Sequence, residues 1–456
     1  MSNYLDTVAS FVADTTFGAL PPPAVERTRR VIADSVAAMV AGAAEPEVIA
    51  LTKRLVPVPG GAASVIGAGI RTEPGKAALL NGTAGTFLEQ DEGNQFSRGH
   101  PGIHCVPAAL AWGEAHGSSG ADVLTAIALG YEIGARIGIS ASILPTMHPH
   151  GTWGTVGAAV TVAKLAGADA AAVRETINVA STLGLATSRQ TMLQGGTVRN
   201  SFAGISGQMG LLAWDMVESG FTGEADGLGT IWGTVVSTAW RPQEMTRELG
   251  SRWEIARNYF KRHACCRYNH GALDALAMIV GQRPQGLAPE DVAKVRVETY
   301  SLAAQLSDRS PKNTLAGKFS LPFSVATTLI NASSGVMSFT WDKIRDARIQ
   351  AFADKVEVVE DPALTALMPD YRPARVIVEL VDGTVLTAET KTNRGDTEDP
   401  YDDAELDRKF FELTGRVWPE ATARPVYEGC FAIDTLADVN ALTARFAVEP
   451  LMQAGE

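Results

Sequence analysis

Two stretches, GADVLTAIALGYEIGARIG (120–138) and GTVGAAVTVAKLAGADAAAVRETINVASTLG (154–184), consist largely of Ala, Gly, Val, Ile and Leu. A helix that is apolar on nearly every side has little face to offer water, so it must touch neighbours all round. Such a chain is constrained to a layered helical body. LPPPAVERTRRVIADSVAAMVAGA (20–43) adds a helix that begins after three prolines and stops near Gly42, with Val25, Val31, Ile32, Val36 and Met39 on its apolar face. Its Arg27, Arg29 and Arg30 are expected on a solvated face. The longest candidate membrane span, VLTAIALGYEIGARIGISASIL, carries Glu132 and Arg136 and is expected to be a buried core helix.

Near residue 290 the pattern changes. VAKVRVETY and ARVIVELVDGTVLTAET alternate β-branched and polar residues, with Asp382-Gly383 as a hairpin turn, and FSLPFSVATTLINAS between them reads as a buried helix. YDDAELDRKFFELTG then returns to an amphipathic helix, with Leu406, Phe410, Phe411 and Leu413 opposite its charges. With 456 residues, two domains are expected. The formal charge of −12 has no basic runs, which argues against nucleic acid or an anionic membrane as partner. Four cysteines without framework spacing, and an N-terminus lacking a basic region followed by an apolar block, point to the reducing cytoplasm.

Chemistry concentrates in four places. FLEQDEGNQFSRGHPGIHC (87–105) gathers Glu89, Asp91, Glu92, His100 and His104 in one polar stretch. His100 and His104 have metal-ligand spacing, but Pro101-Gly102 argues against a continuous helix through both, and no HExxH, CxxC or phosphate loop occurs elsewhere. No metal is expected. TMHPHGTWGTVGAA puts His148 and His150 before a Gly-rich helix start, where backbone N–H groups favour anions. QGGTVRNSFAGISGQMG sets Arg199 after a Gly-Gly turn, able to grip a carboxylate, although helix packing explains the glycines equally well. NYFKRHACCRYNHG collects Lys261, Arg262, His263, Arg267 and His270 where the helical pattern gives way to the mixed one; Cys265 and Cys266 read either as reactive thiols or as small buried residues.

Taken in order, LLNGTAGTFLEQDEG, GHPGIHCVPAALAWGEAHG, HPHGTWGTVGAA, the Arg199 to Gly210 stretch, FKRHACC, AGKFSLPFSVA and RGDTEDPYDDAELDRKF resemble the MmgE/PrpD family over nearly the whole chain. That family includes 2-methylcitrate dehydratases, cis-aconitate decarboxylases and iminodisuccinate epimerases. The resemblance implies a mainly α fold: a large all-helical domain from residues 1–264 plus 398–456, with an α+β lid inserted at 265–397. It also implies a homodimer and a cofactor-free active site between the domains.

By the same resemblance, His100, His148, Lys261, Asp91 and Glu89 are expected to be catalytic and Arg199 to bind substrate; Gly93, His150 and Arg262, within the same clusters, are further expected substrate-binding residues. Arg199 and Phe202 stand where family members commonly carry lysine and histidine. Arginine keeps its proton, so Arg199 can hold a carboxylate but cannot act as a general acid. The implied reaction moves a proton on carbon next to a carboxylate of a small anionic di- or tricarboxylate. A hydro-lyase of the 2-methylcitrate dehydratase kind leads, with decarboxylation or epimerisation as alternatives. Outside this class, a zinc hydrolase built on His100, His104 and His148 is the competing reading.

Overall fold

Proline suits the first turn of a helix, because the N–H it lacks would have had no partner there. In the computed structural model, which describes residues 4–283 and 285–446, prolines open α1 (Pro22–Gly42), α2 (Pro74–Phe87) and α3 (Pro101–His116). The fold is mainly α. α4 (Gly120–Ser140), α5 (Gly154–Leu165) and α6 (Phe202–Glu218) complete the principal helices of the N-terminal half. Two short antiparallel ribbons accompany them, Ala63–Val65 with Ile70–Thr72 and Ala141–Ile143 with Ser237–Trp240.

α6 packs across α2 and α5, and α4 lies along α5. Glycine makes the first crossing possible: a Cβ on Gly82 would stand 2.7 Å from the Gly204 Cα, and one on Gly204 would overlap the Leu79 carbonyl. By length and composition α4 could cross a membrane, yet 94% of its apolar window is buried inside the fold. Its two buried charges satisfy each other there: Arg136 Nε lies 2.6 Å from Glu132 Oε1 and its guanidinium donates to the carbonyls of Glu244, Arg247 and Arg252.

The apolar side chains form two large clusters. One draws on residues 5–260 and 406–446; the other uses 264–388 together with Met192. The second cluster packs α7 (Arg267–Gly281) and α8 (Leu321–Asn331) against a four-stranded sheet of β1 (Val292–Thr299), β2 (Val356–Glu360), β3 (Ala374–Leu380) and β4 (Val385–Thr390). Strand order is β2-β1-β3-β4, with β1 and β2 parallel and the other pairs antiparallel.

α9 (Asp403–Thr414), begun by an Asp402/Glu405 capping box, and α10 (Glu420–Phe431) pack on α1. This corrects the expectation for the α1 arginines. Arg30 is 2.8 Å from Asp403 and 2.5 Å from Asp407, Arg29 is 2.8 Å from Asp434, and Arg27 lies over the Phe260 ring. Arg29 and Arg30 fasten the returning C-terminal segment, which pattern within α1 alone could not reveal. Residues 447–456 of the expected helical segment lie outside the described residues.

Because the α2/α6 crossing is backbone against backbone, Gly204→Ala should cost about 1–3 kcal/mol, the usual range for overpacking. Urea denaturation checks this, and unchanged stability would mean that the crossing has slack.

Candidate active site

α2 ends at Phe87, and Glu89, two residues on, has φ +54, a left-handed conformation that non-glycine residues seldom adopt. The turn directs Glu89 into the interior, where it meets Arg199 from the 3₁₀ turn Thr197–Ser201 that precedes α6. Lys261 Nζ sits 3.4 Å from Glu89 Oε2 and 3.6 Å from Asp91 Oδ1, and Asp91 Oδ2 is 3.1 Å from His100 Nδ1. Glu89, Asp91, Arg199 and Lys261 each expose 1% or less of their surface. The result is a buried ion cluster assembled from three separate chain segments, with Glu89 and Lys261 lying 172 residues apart.

Burial alone would neutralise such groups. Against it, Arg199 and Lys261 hold the Glu89 carboxyl below its usual range, and His100 with Lys261 holds Asp91 well below. Asp91 and Glu89 in turn overcome the burial of Lys261 and keep its ammonium charged.

The hydrogen bonds assign the histidine tautomers. His100 caps α3, and its Nδ1 lies 2.7 Å from the Glu92 carbonyl as well as near Asp91. Both are acceptors, so Nδ1 carries the proton and neutral His100 has its lone pair on Nε2. His148 is the opposite: its Nδ1 accepts the His150 N–H at 3.0 Å, leaving the proton on Nε2. Burial, reinforced by Arg199, pushes the His148 pKa well down, so the ring stays neutral. His104 donates from Nδ1 to the His100 carbonyl at 2.7 Å and accepts the Gly151 N–H at 3.2 Å, a structural part.

A cavity of about 50 Å³ lies beside the cluster, lined by Glu89, His100, His148 and Arg199, with Tyr259, Cys266 and Phe319. Arg98, Arg189, Arg267 and Arg372 also line it. His150 is not on its wall; it is fully buried behind His100, ring centroids 5.3 Å apart, and burial pushes its pKa down. Gly93 exchanges backbone hydrogen bonds with Tyr259, and a side chain there would strike the Tyr259 ring, so its part is to seat that tyrosine. Arg262 faces away, 3.6 Å from Glu412 in a separate groove, although its neighbour Lys261 turns inward. His263 bridges Ser334 and Asp274, and His270 accepts from Arg267, so both brace the second cluster. Burial raises the Cys266 thiol to about 11 and Cys265 further, which makes them unreactive. Among the described residues no three His, Cys, Asp or Glu side chains converge as a metal site.

Residues 6–243 match the MmgE/PrpD N-terminal domain, and residues 263–431 match the MmgE/PrpD C-terminal domain. The chain belongs to the MmgE/PrpD family. Its relatives include a cis-aconitate decarboxylase-like protein, oryM, of Aspergillus oryzae, 24% identical over 98% of both chains. A cis-aconitate decarboxylase of Aspergillus terreus is 23% identical over 93% of this chain and 91% of its own. Both cover this MmgE/PrpD chain almost end to end.

Sequence reading missed Arg98, Arg189 and Arg372 at the cavity, as isolated arginines in unremarkable contexts give no signal. It also missed Lys318, a fully buried lysine of the second cluster whose Nζ donates to the Phe87 carbonyl at 2.9 Å, at the α2 end that presents Glu89. Burial brings its pKa down to about 8.

Burial likewise lowers His104 to about 4. The unfolded chain therefore binds a proton at this residue that the folded one refuses, and the stability it contributes is present above about pH 6.5 and lost as pH falls. Between about pH 7.5 and 5 the wild type should lose about 2 kcal/mol that His104→Gln does not lose. Denaturant titrations at the two pH values test this; a stability gap that stays constant with pH would contradict a neutral buried His104.

Proposed function

We propose that this protein is a cofactor-independent lyase that moves a proton on the carbon next to a carboxylate of a small di- or tricarboxylate. The observation that carries the reading is the pairing of His100, its Nδ1 committed to acceptors and its Nε2 without a partner among the described residues, with Arg199 on the wall of one cavity and the Lys261 charge buried behind that wall against Glu89 and Asp91. A proton next to a carboxylate is weakly acidic, because its loss adds negative charge to a group already negative. Fixed cations stabilise that charge, and a positioned imidazole supplies the base.

In the leading form, a hydro-lyase, His100 Nε2 takes the proton and Arg199 holds the enolate-like carboxylate, while Lys261, buried behind Glu89, adds its positive field. The electron pair then forms the C=C bond as the neighbouring C–O bond breaks. The departing hydroxyl takes the proton from the His100 imidazolium and leaves as water, with the His148 Nε2–H donating a hydrogen bond. Asp91 steadies the imidazolium while it exists. The 50 Å³ cavity is too small for a polycarboxylate, so we further propose that the second cluster acts as a lid, parting from the first to admit substrate.

The names of the relatives favour a second reading, decarboxylation. There the C–C bond to one carboxylate breaks, carbon dioxide leaves, and protonated His100 delivers its proton to carbon.

Proton NMR in deuterated water, with citrate, 2-methylcitrate, cis-aconitate and iminodisuccinate as a panel, tests these forms. An olefinic signal gained with loss of water supports the hydro-lyase; carbon dioxide release supports the decarboxylase. Deuterium uptake without elimination indicates an epimerase, and no change in any compound contradicts the proposal. His100→Gln should lower kcat by about 10²–10⁴ with the fold retained. Asp91→Asn should also lower it, because an amide can donate to Nδ1 and release the His100 tautomer. A folded His100→Gln enzyme with near-normal kcat would remove His100 from this role.

A further inference from the structure

The cavity walls carry more positive charge than the ion cluster uses. Arg199 faces Glu89, and Arg267 reaches Asp396 at 2.6 Å. Arg98, Arg189 and Arg372, by contrast, have no carboxylate within ion-pair distance among the described residues. Arg372 is only 7% exposed; among the described residues its one side-chain hydrogen bond goes to the Gln95 carbonyl at 3.1 Å, and its buried Nε has no partner there. Among the described residues, the Arg189 side chain donates only to the Gln305 amide oxygen at 3.3 Å. Arg98 makes no side-chain hydrogen bond to any described residue and lines the cavity from an exposed, left-handed position, φ +59.

Arg372 is a buried cation without a counter-charge, which is costly, and the partly exposed Arg189 and exposed Arg98 beside the same cavity add repulsion to it. A ligand bringing its own negative charge removes both penalties. Guanidinium groups match carboxylate oxygens two by two. Arg199, already balanced by Glu89, suits the reacting end; the unbalanced arginines suit an end away from the chemistry.

We infer that Arg98, Arg189 and Arg372 form a second anion subsite, which binds a carboxylate of the substrate remote from the reacting carbon and selects trianions over dianions. The inference rests on the polycarboxylate reading of this cavity. It also gives lid opening a consequence: Arg372 belongs to the β-sheet side of the cavity and Arg98 to the loop before α3, so a bound carboxylate would tie the two clusters together.

Calorimetric titration with tricarballylate and with glutarate, which carry three and two carboxylates and cannot be dehydrated, reads binding without turnover. The wild type should bind tricarballylate at least tenfold more tightly, and the ratio of the two affinities should collapse toward one in Arg372→Gln. Arg98→Gln, at an exposed position where folding is not at stake, should reduce the same ratio. Equal wild-type affinities, no binding of either diacid or triacid, or variants that keep the wild-type ratio would each overturn the subsite. So would inorganic phosphate that binds without displacing tricarballylate, which would assign the arginines to a separate ligand. Failure of the lyase reading has a different signature, since a preference for the triacid would then persist in a protein that turns over none of the panel.

Discussion

The ion cluster of Arg199, Glu89, Lys261, Asp91 and His100 is the interaction on which the site depends. Arg199, Glu89, Lys261 and Asp91 are buried and His100 is half-buried at the cavity, so each charge would be expensive alone and is tolerated because the others are present. Removing Lys261 would leave two carboxylates facing each other; removing Glu89 would leave Arg199 uncompensated. The cluster therefore fixes the end of α2, the cap of α3, the turn before α6 and the strand-like segment before α7 with respect to one another. It also creates the chemistry, for the carboxylate that balances Lys261 is the one that orients His100.

Much of the fold could be read from residue patterns. Apolar runs at helical spacing identified α4, α5 and α8, alternation with Asp382-Gly383 identified β3 and β4, and the proline-led α1 ended where expected. What escaped reading was set by partners distant in sequence. β2, Val356–Glu360, is a short run that is strand only because β1 lies beside it in parallel. The α1 arginines look solvated until the C-terminal helices supply Asp403, Asp407 and Asp434.

The site divides in the same way. Clusters of acids and histidines within a few residues announced Glu89, Asp91, His100 and His148, and the cavity gathers three of these around Arg199. Direction was not legible: Arg262 adjoins Lys261 but points to Glu412, and His150 lies two residues from His148 yet sits behind the wall. Nor were the tautomers, which depend on whether Nδ1 meets a carbonyl, as in His100, or an N–H, as in His148. That difference gives two chemically identical rings complementary capacities, one to accept a proton and one to donate a hydrogen bond.

The tautomers are also the most direct point of test. The chain has seven histidines, few enough for nitrogen-15 NMR of histidine-labelled protein, with His100→Gln and His148→Gln used for assignment. In the neutral form of each ring the proton is expected on Nδ1 of His100 and on Nε2 of His148. The proton on Nε2 of His100 would leave no lone pair facing the cavity and would contradict its role as the base.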